Sequence, residues 1–283
     1  MIGMPGVLAG ETLSLSADWP ALAIAVLALA VIWLCAAGYG RLLARLLAGQ
    51  GKVWVEPYEL PDILVALVLI SWLGSGAVHG FLRQGKLPSI TDPVILQSAA
   101  LYGIIVGGIV LFLKTRKIPV LRLFGFEAKG ATAALKKGAG LIVAALPLVV
   151  LATLIVFLFA GRETEPQEIV EYFVDAARRA DWRRVAFAAG FAVLVAPVTE
   201  EFIFRGYFYG VLKRYFGSLP ALLLTSALFA GIHLNGPAFL PLFTLAVCLT
   251  LAYEETGSLL TPMLMHAIFN ALNLGLMFLQ NHR

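Results

Sequence analysis

Apolar residues run along this chain in long blocks separated by short polar breaks. A helix needs roughly 20 apolar residues to cross about 30 Å of hydrocarbon. On that measure the blocks predict eight spanning helices, at 21–40, 61–82, 93–113, 138–160, 184–212, 219–234, 238–253 and 258–280. The sixth and seventh blocks are short, at about 16 residues each, and would be held by their neighbours or tilt little. The period-two alternation of an outer-membrane barrel is absent, so the spans are helices, whose backbone groups satisfy one another. The expected fold is an all-α, polytopic membrane helical bundle.

The breaks organise the chain further. Between the fourth and fifth blocks, GRETEPQEIVEYFVDAARRADWRR is acidic first and basic last, with Ile169, Phe173 and Ala176 at helical spacing. An amphipathic helix on the membrane surface is expected there. The chain thus divides into an N-terminal four-helix membrane region (1–160), an amphipathic connector (161–183) and a C-terminal four-helix core (184–283) that is the catalytic candidate. Lys and Arg gather in alternate loops, at 41–60, 114–137 and 213–218. The positive-inside rule makes that side cytoplasmic, with both termini outside. From Met1 to Pro20 there is no Lys or Arg, so the basic start of a cleaved signal peptide is missing and the first span is expected to remain.

Composition sharpens the class. The chain is 60% hydrophobic and 13% charged, against roughly 25% charged for soluble domains. A mean hydropathy of +0.89 over the full length excludes a soluble enzyme with one anchor, which would have too little polar surface to cover its core. The net charge of +4 is scattered, with no basic run interleaved with aromatics, so the partners are the lipid bilayer and no nucleic acid. Cys35 and Cys248 both lie in apolar blocks and read as buried free thiols, too few for a Cys-rich metal site.

In such a chain, charge inside a span carries information, because an ionised side chain at the bilayer centre costs about 2.5–3.5 kcal/mol even on lenient scales. The first four spans hold Asp62 alone, at a span edge behind Pro61, the place of a helix N-terminal residue. The fifth span breaks the pattern with PVTEEFIFR, residues 197–205. Glu201 and Arg205 are four apart and share a helix face, so they pair. Glu200 points about 100° away from Glu201 and is left in an apolar setting that suits a general base. Pro197 removes a helical hydrogen bond just before the pair, so a kink or local opening is expected. His233 ends the sixth span in FAGIH, and His266 and Asn270 sit one turn apart in the eighth, within HAIFN. At a rise of about 1.5 Å per residue, Glu200 and His233 both lie roughly 20 Å from the turn at 213–218. Tilt would bring His266 to the same depth.

A free carboxylate, a paired carboxylate, two imidazoles and a carboxamide are what hydrolysis in a membrane cavity needs. Glu200 would take a proton from water and His233 would orient that water. His266 and Asn270 would meet the developing oxyanion. The same residues allow a second arrangement, in which Glu200, His233 and His266 bind Zn²⁺ as a two-His, one-carboxylate set; a helical HExxH motif is absent.

EEFIFR (200–205), FAGIH (229–233) and HAIFN (266–270) resemble, in order and spacing, the EExxxR, FxxxH and HxxxN motifs of the CPBP intramembrane proteases. That family includes type II CAAX prenyl endopeptidases and bacteriocin-processing or self-immunity proteins. The resemblance covers residues 184–278. It implies that Glu200 activates water, that His233 is its partner, that His266 and Asn270 form the oxyanion site, and that Glu201 and Arg205 support them. It also implies either a metalloprotease, with a divalent metal such as Zn²⁺, or a metal-free glutamate enzyme. The implied partner is a membrane-associated protein or peptide substrate, prenylated in CAAX-type processing, in the plasma membrane of a prokaryote. The alternative from a different class is a non-catalytic membrane protein that sequesters a peptide or scaffolds another enzyme. A proton-coupled transporter has less behind it, since no inverted repeat or discontinuous helix pair is visible.

Overall fold

In hydrocarbon a backbone must satisfy its own hydrogen bonds, and the computed structural model does so with helices. It describes residues 19–82, 90–127, 130–161 and 168–281, and among these there is no strand. The helices are α1 (Trp19–Leu47), α2 (Leu60–Leu82), α3 (Asp92–Thr115), α4 (Ala131–Ala160), α5 (Glu168–Arg178), α6 (Trp182–Phe216), α7 (Ser218–Gly231), α8 (Gly236–Thr256) and α9 (Leu260–Asn281). The protein is therefore an all-α polytopic membrane bundle.

Each of the eight expected blocks falls on a helix, but by length and composition the described residues contain six helices able to cross a membrane; Leu60–Gly76 and Ser218–Gly231 are shorter apolar helices. The seventh block, read as about 16 residues against the roughly 20 of a span, is in fact the 21-residue α8. It begins earlier because Asn235 Oδ1 accepts a hydrogen bond from the Ala238 N–H at 2.9 Å and caps the helix. It ends later because Glu254 and Glu255, which terminate the apolar run in sequence, are held by partners in its last turn. The expectation about the first residues of the chain falls on 1–18, which lie outside the described residues.

The core forms around α8, which packs against α1, α4, α7 and α9. Its interior face is buried from Leu245 to Glu254 with one break at Val247. α4, from the N-terminal region, runs along both α8 and α9. The approach to α9 is close: a Cβ on Gly138 would stand 3.1 Å from the Thr261 carbonyl oxygen, and Thr261 Oγ1 donates to the Ala134 carbonyl at 3.2 Å. α2 and α3 flank α6. The predicted connector helix appears as α5, and its apolar side is taken by protein: Phe173 packs edge-on to Phe278 of α9 and clusters with Ala188 and Ala192 of α6. Tyr172 of α5 donates to Asp92 at the start of α3.

One end of the bundle is tied by buried polar groups that hydropathy assigned to loops or, for Asp62, to a span edge. Glu254, 3% exposed, accepts from the Val53 N–H at 3.2 Å, from the Lys213 ammonium at 2.6 Å and from the Tyr209 hydroxyl. Its backbone carbonyl accepts from the Lys52 N–H at 2.9 Å. Glu255 pairs with Arg45 and Lys137. Asp62 is fully buried; it accepts from the Glu59 N–H at 2.6 Å, as expected of a residue at a helix start, and also pairs with Arg116 from the loop after α3. Gly125 completes this end. Its φ of +70° and the 2.0 Å that a Cβ would leave to the Gly257 carbonyl oxygen admit only glycine there.

Removing one partner of a buried ion pair strands the other. Glu254→Gln is expected to destabilise the folded protein by about 3 kcal/mol, read as a lower midpoint of thermal unfolding in detergent, whereas Glu255→Gln, whose partners are solvent-exposed, is expected to change it little.

Candidate active site

The site is built on α6, which is not a uniform α-helix. Phe191–Val195 and Phe202–Tyr209 are π-helical, and Ala196–Glu201 between them is α-helical. The opening expected at Pro197 thus takes the form of a π segment, whose closing bond runs from the Ala196 N–H to the Phe191 carbonyl. In this register the next N–H would serve the Ala192 carbonyl, but residue 197 is proline and has none. Asn270 of α9 supplies the missing donor, its Nδ2 reaching the Ala192 oxygen at 2.8 Å. One proline thereby explains both the widened helix and a bond across to α9. π-turns inside α-helices are frequent at functional sites.

Four of the predicted residues form one connected set. Glu201 is fully buried and Arg205 is 1% exposed. Arg205 Nη1 donates to Glu201 Oε1 at 2.8 Å, and its Nη2 reaches the Ala246 carbonyl of α8 at 3.4 Å. The same Glu201 oxygen takes His266 Nδ1 at 2.9 Å. His266 Nε2 then faces Glu200, 3.9 Å from its Oε2. Glu200 is 8% exposed, and its other oxygen accepts a hydrogen bond from the Tyr102 hydroxyl of α3 at 2.9 Å.

His233 joins this set through an aromatic ring. Its Nδ1 lies 2.7 Å from the Phe229 carbonyl oxygen, a contact that needs the proton on Nδ1 and leaves Nε2 for another partner. Phe229 is fully buried and stands at the centre of the site. Its ring centroid is 4.9 Å from that of His233, 5.7 Å from that of His266 and 4.4 Å from the Arg205 guanidinium carbon. A guanidinium over an aromatic face is stabilised most where water is excluded. Asn270 lies one turn beyond His266 as expected, with one amide hydrogen committed to Ala192.

Tyr102 and the central place of Phe229 were not readable from the residues alone. Tyr102 is a hydroxyl in an apolar block, and only its position opposite Glu200 distinguishes it. Beside Tyr102 an apolar cavity of about 300 Å³ opens between helices, walled by Leu73 and Gly76 of α2, Tyr102 and Ile105 of α3, Ile203 and Phe204 of α6, and Ile232 and Leu234 after α7. Leu234 has a φ of +54°, an uncommon conformation for a branched residue.

The zinc arrangement was tested on this donor set. Among the described residues no three His, Cys, Asp or Glu side chains are grouped to hold an ion. As placed, the residues do not fit a metal centre.

Residues 182–272, which carry all six predicted site residues but not Tyr102, match the family model described as type II CAAX prenyl endopeptidase Rce1-like. No curated protein and no solved structure matches the chain. That segment, about a third of the chain, is similar to the type II CAAX prenyl endopeptidases.

The ion pair at the centre of the site makes arginine irreplaceable by another cation. Arg205→Lys keeps the charge but loses the fork that reaches both Glu201 and Ala246, and is expected to cost about 2 kcal/mol of stability. Arg205→Met, which leaves Glu201 without its cation, is expected to cost more. Thermal unfolding of the two variants in detergent measures both.

Proposed function

We propose that this protein is an intramembrane endopeptidase that hydrolyses a peptide bond in a membrane-associated protein or peptide, with a CAAX-type prenylated C-terminus as its substrate class, by a glutamate-activated water. The observation that carries the reading is the buried His266, set between a carboxylate already paired with Arg205 and a second carboxylate, Glu200, which has no Lys or Arg ion pair among the described residues. The family match supports the substrate class, and the apolar cavity beside Tyr102 gives a lipid-linked substrate a place to lie.

The chemistry follows from the remaining atoms. Glu200 Oε2 takes a proton from a water that His233 Nε2 orients. The water oxygen bonds to the scissile carbonyl carbon while the carbonyl electron pair moves onto its oxygen. That oxyanion is met by His266 and by the second amide hydrogen of Asn270. His266 donates from Nε2 only when both of its nitrogens carry protons, and Glu201 is the counter-ion that accommodates the charge. When the tetrahedral intermediate collapses, the carbon–nitrogen bond breaks and the proton held by Glu200 passes to the leaving amine. No step requires a metal.

The test is cleavage of an internally quenched, farnesylated CAAX peptide by the purified protein in detergent. Glu200→Gln and His233→Ala are expected to lower kcat by at least about 100-fold, in line with loss of a general base or its partner, with unfolding midpoints close to wild type. Full activity in Glu200→Gln would overturn the mechanism, and a cellular phenotype that survives Glu200→Gln would favour the non-catalytic binding role.

Treatment with a strong chelator gives a separate check. Turnover is expected to persist in the chelator and to gain nothing from added Zn²⁺. Activity that is lost and then restored by Zn²⁺ would place a metal in the reaction.

A further inference from the structure

We infer that Tyr102 of α3 is a positioning residue for Glu200. It fixes one carboxylate oxygen so that the other, the one facing His266, is the oxygen that takes the proton. The inference rests on the endopeptidase reading above and extends it beyond the matched segment, since Tyr102 lies 80 residues before the start of 182–272.

Three observations carry it. First, the Tyr102 hydroxyl donates to Glu200 Oε1 at 2.9 Å, while His266 Nε2 stands nearer Oε2, at 3.9 Å. The two oxygens therefore have different surroundings. A glutamate has three rotatable side-chain bonds, and a base that samples several rotamers spends little time in line with its water; one fixed oxygen removes most of that freedom. Second, Tyr102 is itself held. Its ring lies parallel to that of Phe191, at 3° and 6.3 Å between centroids, and Phe191 is the first residue of the π segment that leads into Pro197 and Glu200. The donor and the helix turn carrying the acceptor are thus braced against each other. Third, most of the buried tyrosine hydroxyls serve packing. Those of Tyr39, Tyr58 and Tyr207 donate to backbone carbonyls, and that of Tyr209 goes to Glu254 at the far end of the bundle. Tyr102 alone among these spends its hydroxyl on a carboxylate of the site.

The ring of Tyr102 also forms part of the cavity wall beside Leu73 and Gly76 of α2. A single side chain then touches both the space offered to substrate and the base that acts on it. α2 and α3 in this way complete a site whose motif residues lie on α6, α7, α9 and, for His233, the turn after α7.

Tyr102→Phe isolates the hydroxyl, because it keeps the ring, its stacking on Phe191 and the cavity wall. With the farnesylated CAAX peptide, kcat of Tyr102→Phe is expected to fall by about 10- to 100-fold, the scale of a small misplacement of a reacting group. KM should stay within about twofold, since the groups that meet the substrate are unchanged. Tyr102→Ala, which also removes the wall, is expected to raise KM. In a Glu200→Gln background, Tyr102→Phe should produce no further loss, because two residues acting through one step are not additive. A Tyr102→Phe variant with wild-type kcat, beside an inactive Glu200→Gln, would overturn the inference and leave the endopeptidase reading intact. So would a fall in kcat matched by an equal fall within the Glu200→Gln background. An active Glu200→Gln, or a wild-type protein that leaves the peptide uncleaved, would overturn both.

Discussion

A buried charge must be partnered or it destabilises the structure that holds it, and the Glu201–Arg205 pair satisfies that demand in a way that arranges everything around it. The two residues are one turn apart on α6 and essentially inaccessible. Arg205 uses its remaining surface on the Ala246 carbonyl and the Phe229 ring, which ties α6 to α7 and α8. The Glu201 oxygen that takes Arg205 also takes His266, which ties α6 to α9. A buried pair adds little net stability over well-packed apolar groups. Its effect is on specificity, because these four helices can bury the two charges in few other arrangements. The orientation of His266 toward Glu200 follows from that packing, so the proposed reaction geometry would depend on a pair to which the proposal gives no chemical step.

The widened turns of α6 extend the same logic to the backbone. A π segment shifts carbonyl directions, and in a membrane interior each displaced carbonyl needs a donor from elsewhere. The donors come from side chains on other helices and loops. Asn270 serves Ala192 and Tyr58 serves Gly206. Gly206 and Gly210 are the small residues that make room: a Cβ on Gly210 would stand 2.7 Å from the Tyr58 ring. Because Phe202–Tyr209 is buried on every side, this stretch can be irregular without exposing a polar group to lipid.

A second polar cluster, centred on Glu254, closes the opposite end of the same helices. It joins the loop after α1, the last part of α6 and the end of α8. With α6 fixed there and by the ion pair deeper in the bundle, its middle portion, which carries Glu200, has little freedom to rotate. Preorganisation of this kind is what electrostatic catalysis requires of a scaffold.

By itself the sequence determined what depends on local spacing. Block length in apolar residues located the helices, because the cost of exposing backbone to hydrocarbon is paid segment by segment. The four-residue interval paired Glu201 with Arg205, and Pro197 foretold the opening in α6, since both effects act within one or two turns. Equal distance from a shared turn put Glu200 and His233 at one expected depth. Only the tertiary structure decided which faces meet. Tyr102, a single hydroxyl in an apolar block, gained its partner from the rotation of α3 against α6. Glu254, which hydropathy left in a loop, became buried because α8 continues one turn further and finds Lys213, Tyr209 and the backbone of Val53. Asn270 turned out to bond the carbonyl that Pro197 leaves unserved. These contacts join residues 98, 41, 45, 201 and 78 positions apart. Helix rotation and tilt set such distances, and they come from the packing of the whole bundle, which no local pattern encodes.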